Sequence, residues 1–307
     1  HMYGGSISGN TENNGGGVYM AGGQFTMYGG SITNNTAKKG NDNNGGNGGG
    51  VYVNKDCTFD MNGNASVSDN TATNNGGGVY ASVGTFEMND TASVTGNTAN
   101  QGNGGGVYVN DGGTFTMNGS ASVKSNKTVN NDAYGGGVYV IGEKSTFEMN
   151  GTASITDNTA PNGGGGVYVN SGKFNMNGNA SIKSNTASGV FVSAHAFFTV
   201  SGEPTVTGNT GRSAAKNDVS NVFLAGEKKT ITIGKNGLSD NASIGVTRGA
   251  GLVIANDVDE DYSGKFSSDN TQYKVGYDKT KKQLVLTNSS AVTHTHEWTF
   301  TKKTGND

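Results

Sequence analysis

Residues 104–126 read GGGVYVNDGGTFTMNGSASVKSN, and this stretch decides the fold because its parts recur along most of the chain. Its apolar-aromatic-apolar triplet returns again and again at intervals typical of a repeat architecture, with a unit of about 28 residues. The clear copies are Val18-Tyr19-Met20, Val51-Tyr52-Val53, Val79-Tyr80-Ala81, Val107-Tyr108-Val109, Val138-Tyr139-Val140 and Val167-Tyr168-Val169, and the degenerate copies are Val190-Phe191-Val192 and Val222-Phe223-Leu224. The chain is therefore predicted to be a solenoid.

Two further motifs follow the triplet in each unit. One is Phe-x-Met-Asn, as at residues 115–118, and the other is Ala-Ser-(Val/Ile)-x-x-Asn, as at residues 121–126. All three motifs alternate in the period-2 pattern of a half-buried strand, and no stretch supplies a helical period over ten residues. Three short strands per unit predict an all-β fold, a parallel β-helix with three strands per coil and about eight to nine coils.

An asparagine falls at one position after the third strand of each unit. The central members are Asn70, Asn97, Asn126, Asn158 and Asn185, and the outer ones are Asn10, Asn35 and Asn209. Asparagine accepts left-handed backbone geometry, and its amide can bond to the same amide in the next coil. An asparagine ladder is predicted at this corner.

The repeat pattern fades near residue 251, which places the predicted parallel β-helix at residues 1–250. Residues 251–288 contain two strand-like runs, 273–277 and 283–287, joined by a polar turn, and they are predicted to form a small C-terminal β cap over the last coil. Residues 289–307 are expected to be a linker or the start of a next module. The sequence starts halfway through a repeat, so it is expected to be a fragment of a longer chain.

Composition excludes several kinds of partner. The 21 Lys and Arg are outweighed by 24 Asp and Glu, with no basic run, so no nucleic-acid partner is expected. Cys57 is the only cysteine, which rules out an internal disulfide. No apolar run is long enough to span a bilayer, so no membrane insertion of this fragment is expected. We expect a monomer.

The three motifs together resemble the right-handed parallel β-helix repeats of large surface proteins in gut Gram-positive bacteria. More distantly they resemble the GGA[ILV] and FxxN repeats of chlamydial polymorphic outer-membrane adhesins. The resemblance covers about residues 3 to 250. It implies a right-handed coil, an extracellular location at the cell surface, and a non-catalytic role as adhesin or rigid stalk. Host glycan or host protein would then be the partner.

The tyrosine of the triplet is the first candidate binding group. If Val107 and Val109 point inward, Tyr108 points outward, and its equivalents form one exposed aromatic stripe. The stripe consists of Tyr52, Tyr80, Tyr108, Tyr139 and Tyr168, continued by Tyr19, Phe191 and Phe223. It is either a platform on which sugar rings or a partner chain stack, or a structural stack that the variable loops cover.

Outward carboxylates on the second strand support an alternative function. Asp60, Glu87 and Glu148 share one position of the repeat, where a polysaccharide lyase or glycoside hydrolase could use paired carboxylates as acid and base or as calcium ligands. The lyases that it would resemble use arginine as base, and the two arginines, Arg212 and Arg248, lie outside these coils. A solvated charged face is the favoured interpretation, and the chain is predicted not to be an enzyme.

No cofactor is expected, with calcium the one ion considered. The acidic residues of the stretch 257–261 lack the spacing of a calcium loop. His294, His296 and Glu297 could bind a metal ion, but two histidines in a polar tail more often bind none.

Overall fold

A computed structural model of the chain describes residues 1–40, 44–211 and 218–289. The predicted all-β, parallel β-helix fold is confirmed. Eight coils begin with the apolar-aromatic-apolar strand, and the first seven of these strands each pair in parallel with the equivalent strand of the next coil. Equivalent residues pair in register, so that Val79, Tyr80 and Ala81 lie beside Val107, Tyr108 and Val109.

Each coil has three main strands. The first strands are Val18–Met20, Val51–Val53, Val79–Ser82, Val107–Asn110, Val138–Val140 and Val222–Leu224. The second strands are Gly23–Met27, Cys57–Met61, Thr85–Met88, Thr114–Met117, Thr146–Met149 and Ile231–Leu238. In two coils the first and second strands merge into Val167–Gly178 and Val190–Gly202. The third strands are Ser6–Ser8, Ser31–Thr33, Ser66–Ser68, Ser93–Thr95, Ser122–Lys124, Ser154–Thr156, Ser181–Lys183, Thr205–Thr207 and Ser243–Thr247.

A fourth, two-residue strand makes the prediction of three strands per coil incomplete. These strands directly follow the ladder asparagine and form a separate five-stranded parallel sheet. They are Thr11–Glu12, Thr36–Ala37, Thr71–Ala72, Thr98–Ala99 and Lys127–Thr128. Later coils keep single bridges through Thr159, Thr186 and Thr210. Two residues are too few to show a period, so the hydrophobic pattern could not indicate this strand.

The core consists of columns of identical side chains. Phe86, Phe115 and Phe147 are fully buried on the second strand, and successive rings stack with centroids 4.8 Å apart. Met88, Met117 and their equivalents form a second buried column. Each buried large side chain contributes about 1.5–3 kcal/mol through removal of apolar surface from water. Only the full stack buries them, because a single coil covers neither face of its own rings.

The asparagine ladder runs through all the coils at the corner after the third strand. The backbone N and Nδ2 of Asn97 donate to Oδ1 of Asn126 at 2.9 and 3.0 Å, and Nδ2 also donates to the carbonyl oxygen of Val67 at 3.0 Å. The same pattern connects the rungs Asn10, Asn35, Asn70, Asn97, Asn126, Asn158, Asn185, Asn209 and Asn221. Each buried amide is thereby satisfied on both sides, which avoids a cost of about 1–3 kcal/mol per unpaired group.

The C-terminal segment ends both the stack and the ladder. Phe266–Ser268 adds one more parallel strand next to Ser243–Thr247, and the 3-10 helix Ser263–Lys265 precedes it. The predicted hairpin is present as Tyr273–Asp278 and Gln283–Asn288, and its second strand pairs antiparallel with Val253–Ala255. Leu284 and Leu286 of the hairpin are fully buried.

Asp269 is the last rung of the ladder. Its Oδ2 accepts the backbone N of Asn221 at 2.8 Å, and its Oδ1 accepts Nδ2 of Asn221 at 2.6 Å. Oδ2 also accepts the hydroxyl of Thr247 at 2.6 Å. A carboxylate accepts hydrogen bonds without donating any, so it can end a ladder in which every rung passes two donors forward.

Glycine is required in the turn before the first strand. Gly104 has φ of +68°, and a Cβ on the following Gly105 would lie 2.4 Å from the carbonyl oxygen of Gly136 and 2.5 Å from the carbonyl carbon of Lys127. Both neighbours are backbone atoms of adjacent coils, which cannot move without breaking the parallel pairing. The Gly-Gly-Gly run thus permits close approach of coils as well as a left-handed turn.

We expect Gly105→Ala to lower the free energy of unfolding by at least about 2 kcal/mol, because the new methyl group overlaps backbone of the next coil. Gly22→Ala is the matched control, since a Cβ there has no neighbour within 4 Å. Urea denaturation of both variants measures the effect. Equal stability of the two variants would contradict the close-approach explanation.

We expect Asp269→Ala to lower the free energy of unfolding by about 1–3 kcal/mol, because it leaves the two donors of Asn221 without an acceptor. Asp269→Asn should lower the free energy of unfolding less, since a single amide oxygen accepts both donors at each of the preceding rungs, as Asn126 Oδ1 does for Asn97. The two variants are compared by urea denaturation. Identical midpoints for the Ala and Asn variants would rule out this role for Asp269.

Candidate functional site

The outward aromatic residues of the first strand form one continuous stack, which we call the aromatic ladder. It consists of Tyr19, Tyr52, Tyr80, Tyr108, Tyr139, Tyr168, Phe191 and Phe223. Centroids of successive rings lie between the 4.7 Å of Tyr168 and Phe191 and the 5.3 Å of Tyr139 and Tyr168. Parallel in-register strands impose this spacing, because equivalent residues of neighbouring coils lie one strand apart.

The prediction that this stripe is exposed is wrong for its central part. Tyr80, Tyr108, Tyr139 and Tyr168 are only 6 to 9% exposed and form a small apolar cluster of their own outside the main core. Tyr52 is half-buried. Four of the five tyrosines proposed from sequence as ligand-binding groups therefore have no open ring face.

Residues from the connecting loops cover these rings. Tyr134 lies in the segment before Val138, and its ring is 4.4 Å from that of Tyr168 in the next coil. Ile141, which follows the first strand, packs against the same cluster. The covering residues come from the segments of variable length, so the repeated motifs could not predict them.

Burial also changes the acidity of the tyrosine hydroxyls. Removal from water raises the pKa of Tyr80, Tyr108 and Tyr139 above that of an exposed tyrosine, and the neighbouring tyrosines add to the effect for Tyr108 and Tyr139. Asn110 Nδ2 donates to the Tyr80 hydroxyl at 3.3 Å, which partly offsets the shift. The hydroxyls of Tyr80, Tyr108 and Tyr139 therefore stay neutral well into the alkaline range.

We expect the free energy of unfolding to fall as the pH rises above about 10. The unfolded chain loses its tyrosine protons near that pH, whereas the buried hydroxyls keep theirs, so ionisation favours the unfolded state. Below about pH 9 these hydroxyls are protonated in both states, so they should not make the free energy of unfolding depend on pH. Urea titrations from pH 8 to 12 measure the decline.

The control is the double variant Tyr108→Phe, Tyr139→Phe, which keeps the rings and removes two hydroxyls. Phenylalanine already occupies the ladder at Phe191 and Phe223, so the variant should fold. Its alkaline decline should be shallower than that of the natural chain. An identical decline in both chains would show that other groups cause it.

The aromatic ladder opens toward the C-terminal end. Phe223 is 36% exposed and Phe191 is half-buried, and both line a pocket of about 1030 Å³. The segment between the ladder asparagine and the first strand is the shortest here, with only residues 186–189 between Asn185 and Val190. A segment of this length carries no ring comparable to Tyr134.

Polar groups surround the two phenylalanines. The pocket is lined by side chains that include Ser188, Ser220, Thr247, Arg248, Asp269, Asn270 and Thr271. Arg248 is 9% exposed, and its two terminal nitrogens donate to the carbonyl oxygens of Gly226, Glu227 and Lys229. Its Nε is buried without a hydrogen-bond partner among the described residues, and burial lowers its pKa. The sequence patterns indicated neither this arginine nor the pocket.

The outward carboxylates form an interrupted column on the second strand. Asp60 and Glu87 are register neighbours, whereas Thr116 separates Glu87 from Glu148. Asp60 accepts a hydrogen bond from Gln24 Nε2 at 2.6 Å, and Glu148 accepts one from Asn175 Nδ2 at 3.2 Å. None of the three carboxylates lines the pocket beside Phe223, or the pocket formed by residues 10–17 and Tyr19 at the other end.

The acidic residues of the stretch 257–261 contact neighbouring groups. Asp259 forms an ion pair with Lys282 at 2.6 Å, and Asp261 accepts the backbone N of Ser263 at 2.8 Å. Within the part of the chain that the structure describes, no three His, Cys, Asp or Glu side chains come together as a metal site. Arg212 and the candidate ligands His294, His296 and Glu297 lie outside the described residues.

Two more asparagine columns stabilise the coils, and the sequence analysis did not predict them. In one, Nδ2 of each residue donates to Oδ1 of its predecessor along Asn62, Asn89, Asn118, Asn150 and Asn177. In the other, a side-chain oxygen accepts from the next coil along Asn14, Asn47, Asn75 and Asn103. Their signal was the same as for the main ladder, one asparagine at one position of each unit.

Comparison of the chain with protein-family models, with curated proteins and with solved structures found no match. Across residues 1–40, 44–211 and 218–289, no helix has the length and apolar composition needed to cross a bilayer.

Proposed function

We propose that this chain is a non-catalytic segment of a bacterial cell-surface protein that acts as a rigid stalk or adhesin outside the cell. The observation that supports this most is the set of uninterrupted columns on every side of the coil: stacked phenylalanines inside, the aromatic ladder outside and the asparagine ladder at the corner. Interfaces between coils are therefore nearly identical. Such a stack adds length without adding a new type of contact.

Rod-like dimensions follow from the stacking. Eight coils spaced about 4.8 Å apart give a rod about 40 Å long, to which each further repeat would add one more coil. The surface location rests on the resemblance of the repeats to those of bacterial surface proteins. A host glycan or host protein remains the proposed partner, and the proposed binding form is the monomer.

Adhesion would not use the middle of the aromatic ladder. A partner that approaches the rod there meets the loops with Tyr134 and Ile141, because the tyrosine rings behind them are closed to contact. The outward positions of the second and third strands are polar, as at Thr114, Thr116 and Ser122. The stalk is thus the better supported of the two roles along most of the rod.

A carbohydrate-active enzyme is the alternative, and the geometry supports it less. Such an enzyme needs its carboxylates in a cleft that holds several sugar residues. Asp60 and Glu87 are adjacent but lie in neither pocket described above. Release of unsaturated or reducing sugar ends from a polysaccharide panel, lost in Asp60→Asn, Glu87→Gln, would replace the stalk proposal with the enzyme.

Duplication of one repeat tests the stalk. A second copy of residues 79–106, inserted after residue 106, should lengthen the rod by about 5 Å in small-angle X-ray scattering and leave the unfolding midpoint unchanged or higher, since it preserves the register. Insertion of residues 79–92 alone is the matched control, and it should destabilise the fold because half a repeat shifts every column.

If the whole repeat destabilised the chain as much as the half repeat, the coils would not be interchangeable spacer units and the stalk proposal would be wrong. The location has its own test. Antibody labelling of intact cells of the source bacterium should match that of permeabilised cells, and labelling only after permeabilisation would contradict a surface location.

A further inference from the structure

The aromatic ladder meets a cavity at each of its ends, and the larger of the two, about 1030 Å³, lies at the C-terminal end. The rings of Phe191 and Phe223 stack there at 4.8 Å with an interplanar angle of 22°. Phe223 is 36% exposed, whereas the four central tyrosines are 6 to 9% exposed. Two adjacent aromatic rings with accessible surface therefore lie in the pocket wall.

The chain opens this pocket by shortening one segment. Tyr134 belongs to residues 127–137, which precede one first strand, and it covers Tyr168 of the following coil. The corresponding segment one coil before Phe223 is residues 186–189, with the sequence Thr-Ala-Ser-Gly. It is too short to reach over the next ring, and Ala187 and Ser188 line the pocket instead.

The aromatic ladder ends at Phe223 because the next rung has no ring. The register partner of Phe223 in the last coil is Thr247, which also lines the pocket. Beyond it Asn270 and Thr271 of the cap complete the wall. A flat ligand ring placed against Phe223 would therefore continue the column, at the spacing of about 5 Å that favours offset stacking.

The remaining lining is polar and suits a ligand with hydroxyl groups. Asn270 brings an amide, and Thr271 and Ser220 bring hydroxyls, which both donate and accept hydrogen bonds. A wholly apolar ligand would desolvate these groups without compensation.

Charge at the described lining residues disfavours an acidic ligand. Asp218 and Asp269 both line the pocket, and the terminal nitrogens of Arg248 already bind backbone carbonyl oxygens. An added carboxylate or sulfate would meet two like charges and a cation that is largely occupied. The favoured ligand is therefore neutral.

We propose that this pocket binds one neutral pyranose ring of a glycan, with the apolar face of the sugar stacked on Phe223 and its hydroxyls bound to Asn270, Thr271 and Ser220. The cavity of about 1030 Å³ has room for more than one sugar unit, so an oligosaccharide can enter with one unit at the phenylalanine. The site is independent of the stalk role, because a rod that binds no sugar would still lengthen on duplication of a repeat.

The test is titration of the chain with a panel of neutral oligosaccharides of glucose, galactose, mannose and N-acetylglucosamine, by isothermal calorimetry and by saturation-transfer NMR. Phe223→Ala should weaken the binding at least tenfold through loss of the stacking face. Phe197→Ala is the matched control, since this ring is 60% exposed yet lies on the second strand and does not line the pocket. Unfolding midpoints of both variants establish that each is folded.

A graft closes the pocket without touching its aromatic residues. Residues 186–189 are replaced by a copy of residues 127–137, so that the copy of Tyr134 lies over Phe223. The control is the same graft with alanine in place of the copied tyrosine. The tyrosine graft should abolish binding, and the alanine graft should retain more of it.

The proposal is overturned if no oligosaccharide of the panel binds the natural chain at millimolar concentration. It is equally overturned if Phe223→Ala binds as well as the natural chain, or if Phe197→Ala loses as much affinity.

Discussion

Parallel in-register pairing of equivalent residues is the constraint on which the rest of this structure depends. Once Val79, Tyr80 and Ala81 lie beside Val107, Tyr108 and Val109, every other position of the repeat must also meet its own copy one strand away. The side chains that tolerate this are those that stack or hydrogen bond with themselves. Phenylalanine and tyrosine do so through their ring faces, and asparagine does so because its amide both donates and accepts. A one-residue shift in register would exchange the inward-facing and outward-facing side chains of a strand, so the register is strongly specified.

The asparagine ladder also explains how the solenoid ends. Each asparagine passes two donors to the next coil, so the last one needs an acceptor that requires nothing further, and Asp269 supplies it from the cap. The cap then changes from parallel to antiparallel pairing at Gln283–Asn288, which places Leu284 and Leu286 over the end of the core. The same segment contributes Asn270 and Thr271 to the pocket beside Phe223. The C-terminal cap thus both closes the solenoid and forms part of the pocket.

Variation in this protein is concentrated in the segments between the ladder asparagine and the first strand. A long segment carries Tyr134 over the aromatic ladder, and the four-residue segment 186–189 leaves the ladder open. The regular strands supply a rigid support of constant spacing, and the loops decide where that support is accessible. Function on such a scaffold is therefore expected at irregularities of the repeat, because a feature present in every coil is needed to hold the coils together.

The sequence by itself determined the β-solenoid, the three main strands of each coil, the corner asparagine column and the hairpin after residue 270, because each leaves a local signal that recurs or alternates. It could place Tyr108 and its equivalents on the outside of the coil, and it could not tell whether they are exposed. Only the tertiary structure decided that, since the covering residues, such as Tyr134 above Tyr168, come from loops of other coils with no pattern in common. It alone also placed Phe223, Thr247 and Asn270 around one pocket, because these residues are distant in the chain and meet only when the last coil and the cap close. Local alternation of apolar and polar residues determines the strands of each coil. The packing of loops and cap against those strands determines which surfaces remain exposed.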